Sequence, residues 1–264
     1  MGYSVLQFRR EGAVAVISID APPANAFTNQ LILELGSAFD EANGDDSLRC
    51  VLLRSSNETI FLSGGDIKLS QRAMSGGDIE AQVEYVSRVQ AMVGKIGGME
   101  KPTVASINGH AIGGGFELAM ACDYRVAVDN DGIALGMPEV DLGFIPALGG
   151  LERVSRKFGQ HLALRMGFGA RFNPKEAFRL GLVDGLYPVA DLSKESMALA
   201  HKLAAMPTKA LGMIKRMLLE GNGESFKEVN KLELRCLREV LRTEDVREGI
   251  KAFMERRDPQ FKGR

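Results

Sequence analysis

The residues best suited to chemistry are a run of three glycines, Gly113-Gly114-Gly115, and two glutamates that follow it, Glu117 and Glu139. Glycines leave backbone N–H groups uncovered by side chains. At a strand-to-helix junction those N–H groups have no intrahelical partner and sit at the positive end of the helix dipole, so they can hold a negative oxygen. Glu117 puts a carboxylate beside that site, and Pro138 fixes the backbone just before Glu139. A second small-residue junction, Phe61-Leu62-Ser63-Gly64-Gly65-Asp66, offers further uncovered donors. An anion cradle beside acid–base groups is the outline of an enzyme. Singly, a triglycine serves equally as a tight helix–strand contact and a glutamate as a surface residue.

The elements that must hold these groups alternate between strand and helix. Apolar runs predict strands over 14–19, 50–53 and 103–107, the last leading into the glycines, and further strands over 124–128 and 133–135. Thr28 caps a helix with Leu31, Leu35, Ala38 and Ala42 on its apolar face, ending at Asn43-Gly44. A helix from Ile79 to Ile96 follows Gly76-Gly77-Asp78, and another covers 117–122. Asn173-Pro174-Lys175-Glu176 has cap, proline and N3 glutamate in order, and Gly181 stops that helix. From about Leu192 the pattern is almost wholly helical. The whole predicts an α/β core with a helical C-terminal appendage.

Composition narrows the function classes. Lys plus Arg is 33 against 34 for Asp plus Glu, so there is no global pull toward nucleic acid or anionic membranes. Basic residues at Lys227, Lys231, Arg235, Arg238 and Arg242 are interleaved with Glu224, Glu228, Glu233 and Glu239, which reads as a solvated helix. Cys50, Cys122 and Cys236 are odd in number and far apart, arguing for a reducing compartment rather than disulfides or zinc. Arg9 and Arg10 precede no apolar signal core, and no run of 18 apolar residues occurs, so the expected location is cytoplasmic. No lysine follows the glycines as in a P-loop, and GxGxxG, GxSxG and HExxH are all missing. His110, beside the glycines, reads as a packed structural histidine.

In order and spacing these pieces resemble the crotonase superfamily, and within it enoyl-CoA hydratase. The matching segments are Pro23-Ala24-Asn25-Ala26, Phe61 to Lys68 with its Gly-Gly-Asp-Ile-Lys, Lys101-Pro102-Thr103 and Asn108 to Asp123. They continue with Pro138-Glu139, Gly143-Phe144-Ile145-Pro146, Gly149-Gly150, Ala177 to Val183 and Glu248 to Phe253, so the resemblance spans essentially the whole chain.

The resemblance implies an α/β fold: a crotonase-like spiral of repeated ββα units over residues 1–190, with a helical region over 191–264 that assembles homotrimers, often paired into hexamers. It implies an oxyanion hole made by the N–H groups of Gly65 and Gly114. Glu117 would deprotonate a water, and Glu139 would act on the C2 proton of a 2-enoyl-CoA, giving a 3-hydroxyacyl-CoA. Coenzyme A contacts fall on Ala24, Ala26, Ser63, Gly65, Asp66, Ile67, Lys68, Gly113, Gly114 and Pro138, with Arg256 or Lys262 reaching a neighbouring subunit's coenzyme A. Coenzyme A belongs to the substrate; no separate cofactor or metal is expected, and no nucleic-acid or membrane partner. The same cradle serves double-bond isomerases and decarboxylases, which stay as alternatives, and a non-catalytic or RNA-binding homologue is a remote one. Dienoyl isomerases resembling this family carry an Asp where this chain has Ala147. Phe144 and Ala147-Leu148 are larger than in many hydratases, which predicts a narrowed acyl pocket, and residues 70–96 are expected to shape it.

Overall fold

Parallel strands covered on both faces read as nearly continuous apolar runs, and Val14–Ile19 is such a strand, paired on one side with a single antiparallel edge strand, Leu6–Glu11. The computed structural model describes residues 2–264. In chain order the elements are β1 (Leu6–Glu11), β2 (Val14–Ile19), β3 (Ala26–Phe27), α1 (Asn29–Gly44), β4 (Cys50–Ser55), β5 (Ile60–Leu62), β6 (Gly64–Gly65), α2 (Ile67–Gly76), α3 (Ile79–Gly98), β7 (Thr103–Ile107), β8 (His110–Ile112) and α4 (Gly114–Ala121). They continue with β9 (Tyr124–Val128), β10 (Leu135–Gly136), a 3-10 turn over Glu139–Leu142, α5 (Gly150–Phe158), α6 (Gln160–Gly167), β11 (Arg171–Phe172), α7 (Pro174–Arg179), β12 (Gly185–Tyr187), α8 (Val189–Ala204), α9 (Thr208–Glu220), α10 (Phe226–Val240) and α11 (Glu244–Glu255).

A six-stranded sheet runs β1-β2-β4-β7-β9-β12 and a four-stranded sheet β11-β10-β8-β5, while β3 and β6 pair alone. Only β1 is antiparallel in the large sheet. The chain repeatedly adds a strand to the large sheet, then a short strand to the small one, then a helix: β4 with β5, β7 with β8, β9 with β10. This is the expected spiral of ββα units.

Local signals explain the element ends. Thr28 Oγ1 accepts from Leu31 N–H at 3.1 Å at the start of α1, and Asn173 with Glu176 forms the predicted capping box. Asn25 explains the Pro-Ala-Asn-Ala motif: its buried side chain accepts from Ala21 N–H at 2.8 Å and donates to Ser55 Oγ at 2.8 Å and Phe61 O at 3.2 Å. The loop before β3 is thereby tied to β4 and β5.

Several features depart from the sequence reading: β1, β12 and α5 are not among the expected elements, and the strand expected over 133–135 is only Leu135–Gly136. A helix, α2, follows Asp66, whose carboxylate accepts from Lys68 N–H and Leu69 N–H. The strand over 103–107 does not lead directly into the glycines, because β8 intervenes. The next helix starts at Gly114 rather than Glu117, so the glycines form its first turn. Low helix propensity hid that turn; burial against β5, β6, β8 and the helices α3 and α5 overrides it.

The expected boundary near residue 190 falls at the start of α8, whose Leu192, Ala200, Leu203 and Ala204 belong to the main core. Met213, Leu232 and Cys236, on α9 and α10, form a second small cluster. Leu218, Phe226, Leu234, Phe253 and Met254 on α9–α11 are exposed apolar side chains. Among the described residues no helix is long and apolar enough to cross a membrane. All three cysteines are buried and free.

Candidate active site

Two backbone approaches that only glycine permits dock the small-residue junctions on each other. A Cβ on Gly115 would lie 2.0 Å from Leu62 O, and one on Gly64 would lie 2.9 Å from Ile112 O and 3.0 Å from Gly114 N. Phe116 and Glu117 N–H both donate to Gly113 O, so helix geometry leaves the Gly114 and Gly115 N–H groups without an intrahelical partner. Gly65 and Gly114 both face one cavity of about 120 Å³, whose wall includes Phe27, Glu117, Glu139 and Leu148. The two junctions thus present backbone to a single space, an arrangement able to hold an anionic oxygen.

Glu117 is 1% exposed, on α4. Its Oε1 accepts from Leu148 N–H and Gly150 N–H, each at 2.8 Å. Burial raises its pKa, against the opposing pull of those N–H groups and the Arg153 guanidinium. With Oε1 occupied, the second oxygen is the one available for ligand.

Glu139 opens the 3-10 turn just after Pro138. A Cβ on Gly113, at φ +57, would lie 2.6 Å from its Oε1, so the first glycine of the triad makes room for the carboxyl. Its Oε2 is buried and has no hydrogen-bond partner among the described residues. Burial first, and then the like charge of Glu117, push its pKa up to about 7. The pair therefore favours a proton on Glu139 while Glu117 is held by backbone donors, and two carboxyls in contrasting environments can divide acid and base work.

The sign of this shift gives a stability prediction. A raised carboxyl pKa contributes stability that is full below the ordinary glutamate value and is lost as pH rises through about 7. The melting temperature of the unaltered protein should fall relative to that of Glu139→Gln between about pH 5 and about pH 8. A difference that does not change over that range, measured by thermal unfolding at stepped pH, would contradict the raised value.

The remaining sequence-predicted residues distribute as follows. Ala26 and Gly64 are register partners in β3 and β6, with Ala24 and Ser63 half-buried beside them. Asp66 is spent on capping α2, Ile67 lines the cavity, and Lys68 is exposed in the first turn of α2. Arg256, the C-cap of α11, and Lys262 are exposed and are not on the cavity wall of their own chain. Phe144, Ala147 and Leu148 line the cavity, as do Ser70, Gln82, Val86 and Val89. Leu148 lies close over Gly114: a Cβ there would meet Leu148 Cδ1 at 2.8 Å. His110 Nδ1 accepts from Ala134 N–H at 3.0 Å, a structural bond joining β8 to the segment before β10. Asp141 pairs outward with Arg171 at 2.7 Å.

Two residues were missed. Arg153 donates to Leu148 O at 2.8 Å and so braces the loop that holds Glu117; nothing in the sequence around it signals this. Tyr85 lines the cavity with its hydroxyl bonded at both ends. Its signal was a hydroxyl placed in the apolar stripe of α3, where a buried Tyr needs partners.

Comparison with known proteins places this geometry. Residues 9–264 match the enoyl-CoA hydratase/isomerase family. A probable enoyl-CoA hydratase of Bacillus subtilis (strain 168) is 37% identical over 252 residues, covering 95% of both chains. A crotonyl-CoA hydratase of Syntrophomonas wolfei is 32% identical, covering 99% of both. The crystal structure of an enoyl-CoA hydratase from Geobacillus kaustophilus HTA426 superposes with a TM-score of 0.93 at 29% identity, covering 100% of this chain and 98% of that one.

Proposed function

The chain belongs to the enoyl-CoA hydratase/isomerase family, and we propose that it is a hydratase, adding water across the 2,3 double bond of a 2-enoyl-CoA to give a 3-hydroxyacyl-CoA. The observation that carries this reading is one cavity in which two differently held glutamates face two glycine-backed backbone segments.

A thioester carbonyl draws electrons from the conjugated double bond. With the thioester oxygen against the Gly65 and Gly114 N–H groups, negative charge can collect there as water attacks C3. Glu117, through its free oxygen, takes the water's proton as the carbon–oxygen bond forms. The π electrons pass into the enolate, and C2 takes the proton from Glu139 as the carbonyl reforms. The proton balance closes when Glu117 returns its proton to solvent and Glu139 regains one. Lys68, exposed beside Ile67 at the cavity, is suited to a coenzyme A phosphate.

The number of large exposed apolar side chains on α9–α11 supports assembly as a homotrimer or a pair of trimers. Arg256 and Lys262 would then act on a neighbour's coenzyme A.

Phe144 and Leu148 crowd the cavity that Glu139 and Gly114 share, which suits a short acyl group. Loss of the conjugated enoyl-thioester absorbance should therefore be fast with crotonyl-CoA and slower with long-chain 2-enoyl-CoAs. No loss with any of them, despite binding, would remove the hydratase reading. A double-bond isomerase is the second reading, favoured by the apolar side chains of Leu142, Phe144 and Leu148 that share the cavity with Glu139.

A further inference from the structure

A two-residue ribbon is a weak way to aim a catalytic backbone group, because isolated strand pairs of that length have little stability of their own. Gly65 is held in just such a ribbon, as the register partner of Phe27 in the β3–β6 pair. Tyr85 supplies a further rung. It is 6% exposed, on α3. Its hydroxyl donates to Phe27 O at 2.7 Å and accepts from Asp66 N–H at 3.1 Å. The same hydroxyl lies 3.9 Å from where a Cβ on Gly65 would stand. On the other side, the Phe27 ring comes within 3.0 Å of a Cβ built on Gly114. One hydroxyl therefore bonds the two peptide segments that carry or back both proposed oxyanion donors.

We propose that Tyr85 is a positioning residue that sets the aim of the Gly65 N–H at the thioester oxygen, by clamping Phe27 O and Asp66 N–H with a single hydroxyl. The inference rests on the thioester site proposed above but not on hydration, since every reaction of that carbonyl uses the same donors. Phe27 O accepts the hydroxyl proton, and the Asp66 peptide is the one that follows Gly65. Loss of the hydroxyl frees Gly65 to turn about its own backbone, where glycine offers little resistance. Burial raises the phenol's pKa, so the hydroxyl remains a donor at neutral pH.

Deleting an oxyanion donor outright costs about 10²–10³ in turnover. Tyr85→Phe keeps the donor and loosens its aim, so kcat should fall about 10-fold, with KM within about 2-fold of the unaltered protein. A structural role alone would not move the second readout, the infrared carbonyl stretch of bound butyryl-CoA labelled with carbon-13 at its carbonyl. This saturated thioester cannot be hydrated. The unaltered protein should lower the stretch on binding, and Tyr85→Phe should lower it less. A full shift in Tyr85→Phe would overturn the positioning role. Bound butyryl-CoA with no shift in the unaltered protein would overturn it too, and would identify the thioester site itself as the failed premise. If Tyr85→Phe does not fold, 3-fluorotyrosine in place of the four tyrosines keeps every hydroxyl while making it a stronger donor. A displaced stretch then supports the clamp, and an unchanged one overturns it.

Discussion

Glu117→Gln should lower turnover on crotonyl-CoA by about 10²–10⁴-fold while leaving thioester binding nearly intact, the range expected for a general base. Glutamine is the informative replacement. Its carbonyl can accept the Leu148 and Gly150 N–H bonds that Glu117 Oε1 now takes, so the loop over Glu117 keeps its anchor while the proton acceptor is gone. Glu117→Ala confounds the two, because it strands two backbone donors, at about 1–3 kcal/mol for each one left buried and unpaired. The measurement is steady-state hydration, with binding of a saturated acyl-CoA alongside. Turnover near that of the unaltered protein in Glu117→Gln would remove the base from the mechanism.

Glu139→Gln should cost a similar factor, about 10²–10⁴, and should also change the pH profile. An acid works only while protonated. With its pKa pushed up to about 7 by burial and by Glu117, Glu139 loses its proton as pH rises through that value, so kcat/KM should decline on the alkaline side. Glu117 is needed ionised, and its own raised pKa moves the acid limb upward, giving a bell whose alkaline limb is set by Glu139. The residual activity of Glu139→Gln should lack the alkaline limb. An alkaline limb that survives the substitution would assign it to another group.

Four of the six strands of the large sheet were legible in the sequence because they are largely buried on both faces; β1 and β12, more exposed, were not. Residues 14–19, 50–53 and 103–107 are largely apolar runs, and 124–128 is one broken only by Arg125; they became β2, β4, β7 and β9. The small sheet was less so: β5 and β8 have three residues each, too short to carry a pattern, and the strand expected over 133–135 is only Leu135–Gly136, paired with β8. Glycine-rich helix starts misled for a related reason. Gly114 and Gly115 disfavour helix locally, and the close approach to Leu62 O, which requires glycine, comes from a segment about fifty residues earlier. The two glutamates and both junctions were visible as types and spacings, and the structure brings them to one cavity. What spacing does not encode is the support behind them. Tyr85 reaches Phe27 across 58 positions, and Arg153 braces Glu117 through the carbonyl of Leu148.

Crotonyl-CoA turned over in water enriched in both oxygen-18 and deuterium distinguishes the chemistries directly. Hydration by the paired glutamates predicts one solvent oxygen at C3 and one solvent hydrogen at C2 in each product molecule, with both incorporations slowed together in Glu117→Gln and Glu139→Gln. Solvent hydrogen entering the acyl chain with no oxygen uptake would contradict hydration and leave a proton-shuttling isomerase built on the same cradle.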